Sequence, residues 1–482
     1  MLYKDEQRRD PSSMPLDEPN LFAYVMLLAW PLVAVVLYSR LDPARALIWT
    51  ILGGYLLLPP VVAIDFPVVP DLRKESIPNL MALVASVYVL RDRVPVLPDG
   101  VVGRVLICLF VLSPFATVLT NGDPLPFNTG VPGMRIYDSV AAVANQAIFV
   151  MPFFLARRYL GTPQAMRALL AAFVAGGLAY SIPMLIEMRF SPQMNVWIYG
   201  FFQHDFFQTI RGGGYRPVVF LPHGLWVAFF ALMALLAAVL ALRAAPAEAR
   251  PRHLVIVVYL AVMLVLCRSA GPMIYAVVAA PLILLAPRRV QLWVAAGLAV
   301  VVVLYPLLRG LQVIPVDSII AAAQMISPER AGSLAFRVIN EDQLLARAAE
   351  RPWFGWGGYG RNLLHDPVTG REVSIVDGEW AIQIGIYGWV GYIAEFGLLA
   401  LPLILLLREA MLQRGLVVPR EACGMALILA VSMVDLLPNA TIVGITWLMA
   451  GALMGHAEAL IRDRKARAAL DRVTLRHGRT VI

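Results

Sequence analysis

Charge is scarce in this chain. Of its 482 residues, 15% are Asp, Glu, Lys or Arg and 60% are hydrophobic. Soluble domains run nearer 25% charged and roughly 45–50% apolar, so the composition argues against a soluble enzyme. Cysteine is nearly absent too. Cys108, Cys267 and Cys423 sit in or at the ends of separate apolar segments. An odd, scattered set offers no disulfide framework and no metal spacing, and each reads as a small buried hydrophobe. The His, Asp and Glu spacings imply no metal site, and no cofactor is expected. Internal repeats, low-complexity tracts and a separate soluble domain are all missing. The first twenty residues mix Lys4, Arg8 and Arg9 with Asp5, Glu6, Asp10, Asp17 and Glu18, which is no cleavable signal peptide.

What the chain does have is apolar runs of about 18–22 residues, each long enough to cross a bilayer. Spans are expected at 21–39, 45–63, 78–90, 101–120, 139–156, 166–187, 221–242, 254–267, 270–286, 291–308, 381–407, 421–437 and 440–458. The fold class is therefore all-α, a polytopic membrane helix bundle of about 12–14 transmembrane helices. A polar tail covers 1–20, and a bundle with short loops at 122–138 and 189–220 covers 21–308. A large polar loop fills 309–380, three further helices occupy 381–458, and a basic tail closes the chain over 459–482.

The net charge of +8 is not a nucleic-acid signature, because basic residues gather at helix ends. Arg91/Arg93, Arg157/Arg158, Arg243/Arg250/Arg252, Arg288/Arg289, Arg408/Arg414/Arg420 and the basic tail all fall on one side when the spans are counted. That is the positive-inside pattern. It puts 122–138, 189–220, the Arg268 turn and 309–380 on the outer, periplasmic side. Thirteen spans would place the N-terminus there as well, whereas twelve or fourteen would place both ends inside.

Polar residues on that outer side form three clusters. Arg211-Gly-Gly-Gly-Tyr215-Arg216-Pro217, followed by His223, pairs bidentate guanidinium donors with closely approachable backbone, which suits phosphate. Cys267-Arg268-Ser269 places an arginine between two apolar spans, either as a functional group or snorkelling to the interface. The third cluster is the long loop. Arg337 and Arg347 would add to an anion site, and Asp377-Gly378-Glu379-Trp380 stands where the chain re-enters the membrane. A partly desolvated carboxylate there suits a general base, with His365 as the alternative. Glu395 and Asp435 lie inside or at the end of spans. An amphipathic helix is expected over 340–350, capped by Asn340 and ended by Pro352. Arginines from three loops beside an acid fit a lipid-linked diphosphate held while a carboxylate deprotonates a sugar hydroxyl.

At these residues the chain resembles the bacterial O-antigen ligase and O-antigen polymerase superfamily, over roughly residues 135 to 407. The likeness rests on Arg211 to His223, on Cys267-Arg268-Ser269, and on Arg337 through Gly391. Within the last, Arg351-Pro352-Trp353-Phe354-Gly355-Trp356-Gly357 is followed by Asp377 and then Gly388-Trp389-Val390-Gly391. The resemblance implies a GT-C-like, inverting, metal-independent glycosyltransferase. It would polymerise or ligate undecaprenyl-diphosphate-linked glycans at the periplasmic face of the bacterial inner membrane. Arg211, Arg216, Arg268 and Arg337 would bind the diphosphate, with His223, Arg347 and Tyr215 as further candidates; Asp377, Glu379 or His365 would supply the base. Ligases typically carry a His-Asn pair where this chain has Asp377-Gly378, which tilts the expectation toward a polymerase. Partners would be the lipid-linked glycan, membrane lipid, and a chain-length regulator or flippase, with no nucleic acid. The competing expectation is a transporter or flippase for an anionic or lipid-linked substrate, marked by broken helices and charges along a midplane path.

Overall fold

A computed structural model describes residues 18–477, apart from 67–68, 126–130, 312, 314, 316–317, 319, 322–323, 326–327, 367 and 414–417. The tail up to residue 17, Arg414 and Arg479 lie outside the described residues. The chain is mostly helical. Its helices begin with α1 (Leu21–Arg40), α2 (Pro43–Leu57), α3 (Ser76–Tyr88), α4 (Val101–Leu119), α5 (Ile136–Tyr159) and α6 (Pro163–Phe190). After the short α7 (Met194–Tyr199) come α8 (Gly224–Ala244), α9 (Arg250–Leu266), α10 (Ala270–Leu285) and α11 (Arg288–Gly310). A polar helix α12 (Pro328–Ala349) precedes α13 (Glu379–Leu412), α14 (Arg420–Asp435) and α15 (Gly444–His477). Among the described residues, nine helices are long and apolar enough to cross a membrane, and α2, α3 and α10 are shorter apolar ones.

Local sequence sets the helix starts. Asn20, Asp42 and Thr162 accept hydrogen bonds from Ala23, Arg45 and Ala165 backbone N–H groups, and Pro43 and Pro163 occupy first turns. Such caps satisfy donors that a helix leaves orphaned. The expected span 45–63 is shorter in the structure. Pro59 and Pro60 cannot continue a helix, and a two-stranded antiparallel hairpin follows, β1 (Ala63–Phe66) with β2 (Val69–Arg73). The expected helix over 340–350 is also different. It runs from 328 to 349, so Asn340 is interior rather than a cap. Its amide donates to the Phe336 carbonyl at 2.9 Å and accepts from the Ile375 N–H at 3.3 Å.

Helix α8 is the centre of the bundle. Buried residues make up 78% of its apolar stretch, against 28% in α1 and 17% in the span containing α9, which face outward. Helix α15 lies along α5, where the backbone at Phe153 and Arg157 approaches Gly451 and Gly455 too closely for any side chain. Small residues four apart serve helix packing in membranes, where backbone proximity replaces the hydrophobic effect.

The connecting loops separate into two ends. At one, Arg157 pairs with Glu458 at 2.9 Å, Arg158 with Asp92 at 3.0 Å, Arg462 with Asp99 at 2.6 Å, and Arg464 with Glu409 at 2.7 Å. At the other, Asn20 N–H donates to the Tyr199 carbonyl at 2.9 Å and Lys74 to the Phe220 carbonyl at 2.5 Å. Arg351 also bonds Asp123 there at 2.8 Å. Residue 20 therefore enters the bundle beside the 189–220 loop, as a thirteen-span count requires.

Helix α13 was expected as one span from 381. It breaks at Gly388, whose φ of 68° and ψ of −168° are not helical. The break opens the bonds that would run from Gly385 to Trp389 and from Ile386 to Val390. The loop after α12 fills it. Trp356 and Gly357 N–H groups donate to the Gly385 and Ile386 carbonyls at 2.8 and 2.9 Å. Trp389 and Val390 N–H groups donate to the Pro352 and Trp353 carbonyls at 2.8 and 3.2 Å. These four backbone groups of the break thus gain partners, which a water-free environment demands. Side chains secure the loop from outside: Thr117 donates to the Phe354 carbonyl at 2.6 Å and Asn121 to the Gly355 carbonyl at 2.9 Å. A Cβ on Gly388 would overlap the Trp353 carbonyl. Gly388→Ala should therefore cost on the order of 1–3 kcal/mol, read as a lower Tm of detergent-solubilised protein. Gly297→Ala, which meets nothing within 4 Å, should leave Tm unchanged.

Candidate anion site at the loop end of the bundle

The segment from Arg216 to His223 is neither helix nor strand, yet its first six residues are buried. Its backbone is held by side chains from several helices. Glu187 of α6 accepts from the Val218 and Val219 N–H groups at 2.7 and 2.8 Å. Tyr180 accepts from Phe220 N–H at 3.0 Å, Gln203 donates to the Val219 and Leu221 carbonyls at 2.9 and 3.0 Å, and Lys74 caps Phe220 from the other side. Buried irregular backbone persists only when it is this fully satisfied.

That scaffold positions Arg216. It is 4% exposed, donates from Nη2 to Ser269 Oγ at 2.6 Å, and leaves Nε–H without a partner. Beside it, β3 (Ile210–Arg211) and β4 (Gly214–Tyr215) form a tight hairpin. Arg268 donates to the Arg211 and Gly212 carbonyls, and its guanidinium fills the space a side chain at Gly214 would need. Arg268 itself sits at φ 53°, a strained conformation for a non-glycine residue that its side-chain bonds help hold. Burial, then the charge of Arg211, lowers the Arg216 pKa to about 10, which still leaves it charged at neutral pH.

His223 closes the cluster. Its Nδ1 accepts from Leu225 N–H at 3.0 Å, so it caps α8, and its ring lies 4.5 Å from that of His204. Burial first, then Arg216, His204 and Arg211, push its pKa down to about 3. The imidazole is neutral and capping, which makes it an orienting group rather than a cation. Tyr215 packs at the edge, its ring 6.3 Å from Phe206. Arg211, Arg216, Arg268, His223 and Tyr215 thus converge as the sequence proposed. One buried guanidinium, Arg216, beside the exposed Arg211 and Arg268 and a glycine hairpin makes an anion site in chemical terms. A cavity of roughly 40 Å³ adjoins it through Pro222 and Trp226, lined also by Tyr55, Lys74, Glu75 and Asn79.

The other candidates sit elsewhere. Arg337 is occupied by Asp377, Nε to Oδ2 3.2 Å, with both side chains about two-fifths exposed. Among the described residues no hydrogen bond or ion pair joins this pair to Arg211, Arg216 or Arg268. Arg347 stacks over Trp356 with its Cζ 3.4 Å from the ring centroid and pairs with Glu350 at 2.8 Å; it is a packing residue, and Arg351 covers the same ring. His365 bridges to Glu372 in an antiparallel pair, and burial lowers its pKa against the opposing pull of Glu372. Glu379 is buried, and its Oε1 accepts from Gln383 at 3.0 Å.

Three contributors escaped the sequence reading. His204 and Lys74 come from loops far from Arg216 in sequence, and no local pattern marks them. Glu341 stands one turn past Arg337 on α12, among Arg309, Asp342 and Asp377. Burial, the largest influence, raises its pKa to about 7 despite Arg309. The amphipathic pattern of its helix offered the only signal. A carboxyl titrating near neutrality at the mouth of α13 suits a general base, whereas Asp377 is engaged by Arg337.

No family model and no curated protein sequence matches the chain. The fold defines a multi-pass helical membrane protein.

Glu341 gives a pH prediction. Its folded pKa is raised above the ordinary 4.5, so the folded state holds the proton more tightly. The stabilisation is full below about 4.5 and is lost as pH rises toward about 7. Tm should fall across that window, and Glu341→Gln should flatten the fall. An unchanged slope in the variant would refute the assignment.

Proposed function

We propose that the protein is a membrane glycosyltransferase of the polysaccharide polymerase or ligase type, with a GT-C-like bundle. It acts on undecaprenyl-diphosphate-linked glycans at the periplasmic face of the bacterial inner membrane. The observation that carries this reading is the convergence of Arg211, Arg216 and Arg268, from two separate loops, around a glycine hairpin. Arg216 is buried with an unused Nε–H donor. Guanidinium donors in a partly desolvated site neutralise a diphosphate leaving group without a metal. Their end of the bundle is opposite the Arg- and Glu-bridged end, as the positive-inside rule requires of an outer face. The base is then a carboxylate near the α13 mouth, Glu341 or Asp377, with Arg337 holding Asp377 in place. Arg347 and His365 drop out of the reading because their side chains serve the loop.

The helix break at Gly388 and the buried Glu395 favour a second reading, a transporter or flippase, because broken helices and intramembrane acids serve ion and substrate passage.

Arg216→Ala removes a charge-assisted clamp worth roughly 1.5–3 kcal/mol, so polymer formation should fall about tenfold to a hundredfold, with Arg216→Lys in between. The readout is the surface-glycan ladder on a gel at matched protein levels in the membrane. Wild-type chain length in Arg216→Ala would end the proposal. Loss of lipid-linked units from the outer face on deletion, rather than their accumulation there, would favour the transporter.

A further inference from the structure

The cavity beside the arginine cluster lies where several elements end or begin. Tyr55 near the end of α2, Asn79 in the first turn of α3, Trp226 in the first turn of α8 and Gly444 at the start of α15 line it. Lys74 and Glu75, just ahead of α3, complete its polar wall, and Pro222 brings in the 216–223 segment.

These polar groups have more bonding capacity than the protein uses. Lys74 is 3% exposed. Its Nζ donates to the Leu58 carbonyl at 2.8 Å and to the Phe220 carbonyl at 2.5 Å, which leaves one position on the nitrogen open. Asn79 is buried, and its Nδ2 donates to the Ile148 carbonyl at 3.1 Å. Among the described residues its Oδ1 accepts no hydrogen bond. In the same set, the Tyr55 hydroxyl, the Trp226 indole N–H and the Glu75 carboxylate make no hydrogen bond or close ion pair.

Open valences on polar groups in a confined space call for a polar partner, and the set defines its chemistry. Lys74, Tyr55 and Trp226 donate, whereas Asn79 Oδ1 and Glu75 accept. An anion would face Glu75, and a cation would face Lys74. A hydroxyl group donates and accepts at once, so it serves both kinds. Burial lowers the Lys74 pKa to about 7 against the opposing pull of Glu75, so the amine needs no permanent counter-ion. Size sets a further limit. Water occupies about 30 Å³ in the liquid, so a cavity of roughly 40 Å³ admits a hydroxyl or hydroxymethyl substituent and leaves its ring outside. The surroundings connect that substituent to the arginines. Lys74 both lines the cavity and holds the 216–223 segment, and the Trp226 ring lies 6.1 Å from that of His223.

We propose that this cavity is a saccharide subsite, which takes a hydroxyl-bearing substituent of a sugar held next to the arginine cluster. Lys74, Tyr55, Asn79 and Glu75 are the groups that bond it. The choice of a sugar as ligand rests on the glycosyltransferase reading and adds to it the place where the sugar is recognised.

Saturation-transfer NMR on the full chain in lipid nanodiscs tests this, with methyl glucoside, methyl galactoside and methyl mannoside as probes. The wild type should transfer saturation to at least one of them. Gly444→Ala sets a methyl group 3.1 Å from Ile51 Cγ2 and 3.4 Å from Asn79 Oδ1, at a helix start that alanine favours, and should abolish the transfer. Tyr55→Phe removes one hydroxyl and should weaken binding about threefold to tenfold. Arg216→Ala should keep the glycoside signal but lose binding of inorganic pyrophosphate, which Gly444→Ala should retain. Pyrophosphate bound equally by wild type and Arg216→Ala would end the diphosphate reading and leave the cavity result standing. No transfer in the wild type, or transfer undiminished in both Gly444→Ala and Tyr55→Phe, would overturn the subsite.

Discussion

A backbone without water must find every hydrogen bond within the protein. This constraint explains the most irregular part of the chain. Helix α13 opens two rungs at Gly388, and the loop 352–357 supplies the missing donors and acceptors. The loop is in turn pinned by Thr117 and Asn121, and by Arg361, which bonds the Trp356, Pro132 and Asp123 carbonyls. The stretch Arg351 to Gly357 and the stretch Gly388 to Gly391 are therefore two halves of one joint. Their glycines and aromatics need no substrate to account for them, and the weight of the functional argument moves to the arginines.

The same constraint builds the anion cluster. The largely buried, irregular segment 216–223 exists because Glu187, Tyr180, Gln203 and Lys74 satisfy its backbone. Arg216 and His223 are fixed in place as a consequence. An arginine whose main chain is clamped on both sides loses little freedom when it binds, which favours affinity for a phosphate group.

Much of the architecture was legible in the sequence. The thirteen apolar runs correspond to helices α1–α6, α8–α11 and α13–α15, nine of them long enough to cross a membrane among the described residues, because each is a continuous apolar stretch. The break in α13 was not legible, since Gly388 sits in an unbroken apolar run, and the stop it makes depends on a loop thirty residues earlier. In the candidate site, Arg211, Arg216 and Arg268 could be read because glycine and arginine stand together in polar loops. Arg337, Arg347 and His365 looked alike on paper. What separates them is three-dimensional: one finds a carboxylate, one an indole face, one a strand partner. Glu341 stayed hidden because its raised pKa comes from burial against α11 and α13, which no pattern within α12 encodes.

The central claim is that the arginine cluster holds a diphosphate. The most direct measurement is binding of polyprenyl diphosphate to purified protein in nanodiscs, followed by native mass spectrometry. The account predicts a bound adduct in the wild type, competed by inorganic pyrophosphate and lost in an Arg216→Ala, Arg268→Ala double variant. Equal adduct in wild type and double variant would contradict it.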